Sequence, residues 1–508
     1  MIEKEYILGV DAGTTATKVA LFDLKGTTIA SATKEYDLIT PTTLEVEVDI
    51  ETLWKAFKQG VKDVLSISKV DPDNVKALGI SAQGETLVPI DKNGKLLRRA
   101  IVWLDSRAQE EAEILDKKFN GGKSYETTGQ VKLVPTWPAS KILWIKKHEP
   151  DVFNRVYKYL LVEDYFIWKM TGTFVAEGSL LCSTCYWNIV TKKWWDEMLD
   201  FLEITADELP EIREPGEKVG KLLSSAAKEL GLTTETIVST GALDQACGTI
   251  GVGNIKPGIF TENIGAALAI CATLEKPVFD PNRRMPIHYH AIPDTYMAHT
   301  FTTGGMALRW FRDVFCETEI SEANLANISP YQLMDKEASQ IQPGAEGLVM
   351  LPHLQGAMAP EANPRAKGVF FGFTLRHKRP HFTRSIMEAI ACIIKRNIDV
   401  LENMRIKVTE IRALGGGARS KIWNQIIADL TKRPVTTTLH EEDAACLGAA
   451  ILAGKAVGLF RNFEDAVEDM VAIREQLEPN PKNSKVYDKL YTKYIKLYES
   501  LIELFAMN

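Results

Sequence analysis

The chain has 508 residues, 45% hydrophobic and 25% charged, and its 67 acids against 60 bases give a formal net charge of -7. That length exceeds one ordinary core and predicts two domains of roughly 250 residues each. The acidic balance argues against a nucleic-acid partner. No apolar run reaches the length of a membrane span and no leader pattern opens the chain, so a cytoplasmic protein without membrane contact is expected.

The first elements read as strand Tyr6 to Val10, tight loop, strand Lys18 to Leu24, a turn at Lys25-Gly26, and strand Thr27 to Tyr36. This is an antiparallel meander. Its loop, "DAGTTATK" from Asp11 to Lys18, sets an acid, a glycine and threonines between two apolar runs. Small residues let backbone N–H groups approach an anion, threonine hydroxyls add donors, and an acid at a strand end can hold a divalent cation against phosphate. A polar turn that needs Gly13 for its backbone angles is the plainer reading.

Trp54 to Leu65 has helical spacing, and the short buried runs "ALGIS" and "AIVWLD" follow with polar residues at or just after their ends. "FNGGKSY" contains the end of a P-loop, but Lys117 stands where its first glycine should be and no strand leads in, so it is set aside. "CSTC", Cys182 to Cys185, has the spacing of a redox or zinc half-site without a second pair. The seven cysteines therefore read as reduced, mostly buried thiols. In "VSTGALDQACGTIG", Asp244 follows a strand-like run and opens a helix of small residues. It is either a carboxylate base at a cleft or the cap of that helix.

The same grammar restarts near Gly258: "GIFTENI", Gly265 and "AALAICATL" form strand, turn and strand. Two mixed α/β domains, 1–253 and 254–508, follow from this repetition, with the break near "GVGNIKPG". "HYH" puts His288 and His290 on one strand face, with no third ligand type nearby to make a metal site. "ALGGGARSKIW" runs a strand into Gly415, Gly416 and Gly417 and then a helix with Trp423, Ile426, Ile427 and Leu430 on one face. Such glycines let a nucleobase or ribose lie against backbone, or simply make a strand-to-helix turn. The last helix carries Leu490, Tyr494, Leu497 and Leu501 on one face and reads as core packing.

Across its whole length the sequence resembles the FGGY family of carbohydrate kinases, which includes xylulose, gluconate and glycerol kinases. "GVFFGFTLRHKRPHFTRSIME", Gly368 to Glu388, fits the family's second signature, and "PASKILWIKKH", Pro138 to His148, fits the first except that Thr136 replaces an expected aromatic, Met, Gly or Ser. The resemblance implies an α/β actin-like (ribonuclease H-like) ATPase fold, with two domains around a cleft where ATP and Mg2+ meet a small sugar. It implies magnesium at Asp11 and Asp244, phosphate contacts at Gly13, Thr14, Thr15, Lys18 and Gly265, and an adenosine loop at Gly415, Gly416, Gly417 and Ala418. Asp244 is implied as the general base, with Gln83, Glu85 and Trp103 at the sugar. Core packing is the plainer reading of Trp103. Glycerol kinases carry Arg where Gly84 stands, and many xylulose kinases carry Met and His at Gly84 and Glu85. A ketopentose is the expected substrate, with gluconate, glycerol or another polyol as alternatives. Ala266 stands where relatives carry a phosphate-binding threonine, which leaves a nucleotide-binding regulator without turnover as a reading from another class. A homodimer stays open as the assembly.

Overall fold

The first apolar run forms β1 (Tyr6–Ala12), which turns through Gly13 into antiparallel β2 (Ala16–Asp23), and β2 pairs with β3 (Thr28–Glu35). The expected meander is present, with its first two strands closing further toward the loop than Val10 and Lys18. Residues 4–507 are described by the computed structural model. Helix α1 (Ile50–Ser68) starts after Asp49, whose carboxylate accepts the Glu51 N–H, and buries Leu53, Trp54, Phe57, Val61 and Val64 at helical spacing. β4 (Val75–Ala82) runs parallel to β1 and is buried on both faces, as a parallel strand must be. The run "AIVWLD" contributes only Ala100–Ile101 as strand, because the Asp105 N–H turns back onto the Val102 carbonyl at 3.0 Å.

Helix α2 (Pro138–His148) packs beside this lobe. β5 (Lys218–Lys221), β6 (Ile237–Ser239) and β7 (Ala242–Leu243) complete a seven-stranded sheet in the order β5-β6-β4-β1-β2-β3, with β7 also alongside β4. β7 leads straight into α3 (Asp244–Gly251).

The second lobe repeats the plan. β8 (Ile259–Ile264) and β9 (Ala267–Leu274) form its hairpin, followed by β10 (Ile287–Tyr289), β11 (Tyr296–Thr303), α4 (Met306–Phe315) and the long α5 (Arg379–Asn403). Then come β12 (Glu410–Leu414), α6 (Lys421–Thr431), β13 (Val435–Thr438), α7 (Ala444–Ala456), β14 (Ile473–Leu477) and α8 (Ser484–Ala506). The sheet order is β10-β11-β9-β8-β12-β13-β14. In both sheets an antiparallel hairpin is joined by two parallel strands and closed by an antiparallel edge.

Helix α7 does not stay with the second lobe. It packs on β1 and β4 of the first lobe and crosses α3, in a core shared by Ile7, Phe22, Ala246, Ile250, Leu447 and Ile451. Glycines permit this approach: a Cβ on Gly9 would lie 1.9 Å from the Cys446 carbonyl oxygen, and one on Gly79 would lie 2.1 Å from that of Ala449. A division expected at residue 253 would fall just after α3, yet a helix from beyond it packs in the core of the first lobe.

The second signature is structural in its buried part. Arg384 on α5 donates to Glu388 at 2.8 Å and to the Tyr487 hydroxyl at 2.9 Å, and Glu388 also accepts the Gly344 N–H at 2.8 Å. These bonds tie α5 to α8, whose buried Leu490, Tyr494 and Leu497, with Leu501 partly buried, carry the expected packing face.

Candidate active site

Asp11 lies at the end of β1, opposite Lys18 on β2 and Ser81 on β4. Ser81 donates its hydroxyl to Asp11 Oδ1 at 2.7 Å. The loop beyond is held from three sides. The Gly13 N–H closes the turn onto the Ala16 carbonyl at 3.0 Å, and the Gly13 carbonyl accepts from the Tyr36 hydroxyl at 2.6 Å and from Gln83 Nε2 at 2.9 Å. Trp103 Nε1 donates to Thr14 Oγ1 at 2.8 Å. The loop is thus shaped by contacts within the protein.

Two residues that the resemblance places at ligands also have partners within the protein. Gln83 is buried and committed at both ends of its amide, since its Oε1 accepts from Thr86 Oγ1 at 3.0 Å, so it braces the loop. Lys18 pairs with Asp443 at 2.5 Å and donates to the Glu442 carbonyl at 2.9 Å, so a phosphate contact from it requires breaking that pair. Trp103 also uses its only N–H on the loop.

Asp244 is the first residue of α3 rather than its cap, and its Oδ1 accepts the Gln245 N–H at 2.6 Å. Burial, with Asp11 and Glu85 close by, pushes its carboxyl up to about 7. Burial also raises Asp11, partly offset by the Ser81 hydrogen bond and Lys18. Glu85 is raised by burial too, offset by Ser183 and Lys141. Carboxylates from three separate segments therefore act on one another, Asp11 and Glu85 both disfavouring the charged form of Asp244. Among the described residues, no cationic side chain bonds Asp11 or Asp244, which leaves both free for a dication with oxygen ligands. The approach to Asp244 is fixed from behind: Glu163 accepts the Gly241 N–H at 2.8 Å, and Ser179 Oγ accepts the Leu243 N–H at 2.9 Å.

In the second lobe Gly265 and Ala266 form the hairpin tip. The Gly305 N–H donates to the Gly265 carbonyl at 3.0 Å and the Met306 N–H to that of Ala266 at 2.9 Å. A Cβ on Gly305 would fall 2.5 Å from Gly265 O, one on Gly415 2.3 Å from Asn263 Oδ1, and one on Gly417 2.6 Å from Ile264 Cβ. Hairpin tip, Gly305 and the triple glycine thus form a cradle packed closely around Asn263 and Ile264, where glycine leaves room for no further side chain. Gly415 also sits at φ 76°, where a side chain is strained. Ala418 is buried in the single 3-10 turn Gly416–Arg419, between β12 and α6.

Sequence reasoning missed Ser81, Lys141, Ser183, Gly304 and Gly305. The glycine pair had a visible signal, a strand ending in "GG" before an amphipathic helix, the same pattern read at Gly415 to Gly417. Ser183 lies inside "CSTC", whose two thiols are unpaired and buried. The "HYH" histidines meet protein partners: His288 Nδ1 lies 3.3 Å from Cys182 Sγ, and His290 Nε2 lies 3.1 Å from Thr249 Oγ1. Burial lowers both, His290 to about 3. Among the described residues no group of three or more His, Cys, Asp or Glu side chains forms a metal cluster, and no helix is long and apolar enough to cross a membrane.

Residues 6–251 match the N-terminal domain of the FGGY family of carbohydrate kinases, and residues 267–457 match its C-terminal domain. The chain is 31% identical over 504 residues to a xylulose kinase of Staphylococcus epidermidis, covering 99% of this chain and 98% of the relative. It is 32% identical over 496 residues to a gluconokinase of Bacillus subtilis, covering 97% and 95%. Crystal structures of a gluconate kinase and of a ligand-bound xylulose kinase, both from Lactobacillus acidophilus, superpose with TM-scores of 0.88 at 28% identity, over 98% of both chains for the first and 99% of both for the second. With two matched domains around its cleft, the chain belongs to the FGGY family of carbohydrate kinases, with the actin-like ATPase fold of that family, and is a sugar phosphotransferase.

Proposed function

We propose that the chain transfers the γ-phosphate of ATP to a hydroxyl of a neutral ketopentose such as xylulose. The observation that carries the choice of sugar is charge. Asp244 feels the charges of Asp11 and Glu85, while the buried Lys141 spends its N–H groups on backbone carbonyls. An aldonate carboxylate would enter a field of like charge, where Lys18 and Lys141 are already engaged with Asp443 and with backbone carbonyls. Gluconate is the second reading, supported by the similarity to gluconokinases.

In this reading Asp244 accepts the proton of the attacking hydroxyl, and Glu85 and Trp103 line the sugar. Loop amides from Gly13 to Thr15 and the glycine cradle receive the phosphates and adenosine. Asp11, with Asp244 beside it, would hold Mg2+, which supplies charge neutralisation at the transferring phosphoryl group when bound. Phosphoryl transfer depends on alignment and charge more than on covalent help, so the braced loop and closure of the lobes supply orientation and exclude water. ADP release measured across pentuloses, polyols and aldonates tests the proposal. Preference for a ketopentose is expected; preference for an aldonate overturns the choice of sugar.

A further inference from the structure

Lys141 sits in the first turns of α2 and is fully buried. Its Nζ lies 2.7 Å from the Glu85 carbonyl oxygen, 3.0 Å from that of Val102 and 3.5 Å from that of Ile101. Removing an ammonium from water is costly unless its N–H groups find acceptors, and here all the acceptors are backbone. They belong to two different turns. One carries Glu85, held at φ 59°, a left-handed conformation that few side chains adopt. The other leads from Val102 into Trp103, whose indole reaches Thr14 of the phosphate loop.

A third segment joins them. The Ala139 N–H, at the start of the same helix, donates to the Thr184 carbonyl at 3.0 Å, next to the Ser183 that lies against Glu85. Burial pushes the Lys141 ammonium down to about 7; of the charged groups around it Glu85 and Asp105 favour its charge and Arg107 opposes it, and either protonation state keeps N–H donors for the two nearer carbonyls. Arg107 is itself neutralised by Asp105 at 2.8 Å and Glu47 at 3.0 Å. A methionine would fill the same volume without burying a charge, so packing alone gives no reason for lysine.

We infer that Lys141 is a positioning residue for the sugar subsite: its buried ammonium clamps the turns that present Glu85 and Trp103, and so fixes their side chains before the sugar binds. The inference rests on the placement of Glu85 and Trp103 at the sugar proposed above. It also gives the lysine of "PASKILW" a task that the sequence did not reveal.

The test uses the full chain with xylulose and ATP as substrates. Lys141→Met, which removes the donors, is expected to raise the KM for xylulose tenfold or more while the KM for ATP stays within twofold. Lys141→Gln, which keeps two N–H donors, is expected to fall between the two proteins. Glu85→Gln combined with Lys141→Met should raise the KM for xylulose by less than the product of the single effects, because one residue acts through the other. A folded Lys141→Met with an unchanged KM for xylulose, or equal changes for both substrates, overturns the inference. Collapse of both Lys141 variants in thermal melts assigns the lysine to the fold and overturns it too. If Glu85→Gln leaves the KM for xylulose unchanged while Lys141→Met raises it, the role of Glu85 fails and the clamp stands through Val102 and Trp103.

Discussion

The two hairpins of this molecule share a backbone plan and differ in chemistry. Asp11 stands two residues before Gly13, and Asn263 stands two residues before Gly265, each near the end of a strand that pairs antiparallel with the next and parallel with a later one. The first tip carries Thr14 and Thr15 and is braced by Tyr36, Gln83 and Trp103. The second carries Gly265 and Ala266 and is braced by the amides of Gly305 and Met306. One hairpin holds an acid and hydroxyls; the other offers almost bare backbone. In the proposed reading each hairpin faces phosphate, and of the two tips the first carries the acid that would hold a metal ion.

The sharpest way to break this asymmetry is to disable the acid side. Asp244→Asn should lower turnover by about a hundredfold to ten-thousandfold, roughly 3 to 5 kcal/mol, with ATP binding and folding kept. The pH profile of the unaltered protein checks the same assignment. Because the Asp244 carboxyl is raised to about 7, the basic form is present above that pH, and kcat/KM should fall as pH drops below it. A profile flat down to pH 5 would remove Asp244 from the role of base.

Asp11→Asn makes the first hairpin like the second. A loss of about a hundredfold in kcat, partly recovered at high Mg2+, is expected, since a metal contributes several kcal/mol to neutralising transferring phosphate. Titrating activity against Mg2+ for both proteins decides it.

The bare side is probed by adding atoms. Gly305→Ala places a Cβ 2.5 Å from the Gly265 carbonyl oxygen. Overpacking of this kind costs about 1 to 3 kcal/mol. The melting temperature should fall and the KM for ATP should rise severalfold while the KM for sugar changes little, and thermal melts with steady-state kinetics for each substrate in turn separate them.

The smallest effect is expected from Ala266→Thr, which gives the second hairpin a hydroxyl. Ala266 is exposed at the tip, so the side chain has room. A hydrogen bond to a charged oxygen contributes about 1.5 kcal/mol at the low end, or roughly a tenfold gain in kcat/KM for ATP. An unchanged or poorer variant with an intact melting temperature would mean that this tip does not touch phosphate.

Sequence by itself determined the local parts of this protein. Alternating apolar runs broken by Gly13 and Gly265 dictated both hairpins, because strand period and turn chemistry are properties of neighbouring residues. Asp244 at a strand-to-helix step and the triple glycine before α6 were legible for the same reason. The family signatures identified the chemistry, although the buried Arg384 and Glu388 of the second one serve packing.

Tertiary structure alone decided what depends on residues far apart in the chain. Nothing local in "AACLGAAILAGKA" says that α7 returns to the first lobe; that follows from glycines at 9 and 79 leaving space where its carbonyls pass. That Gln83 bonds Gly13 and Lys18 pairs with Asp443 is likewise invisible in the local sequence. Lys141 was one more basic residue on a helix until three backbone carbonyls were found around its ammonium. In each case the deciding partner is distant in sequence, and a buried polar group takes its role from whichever partner satisfies it.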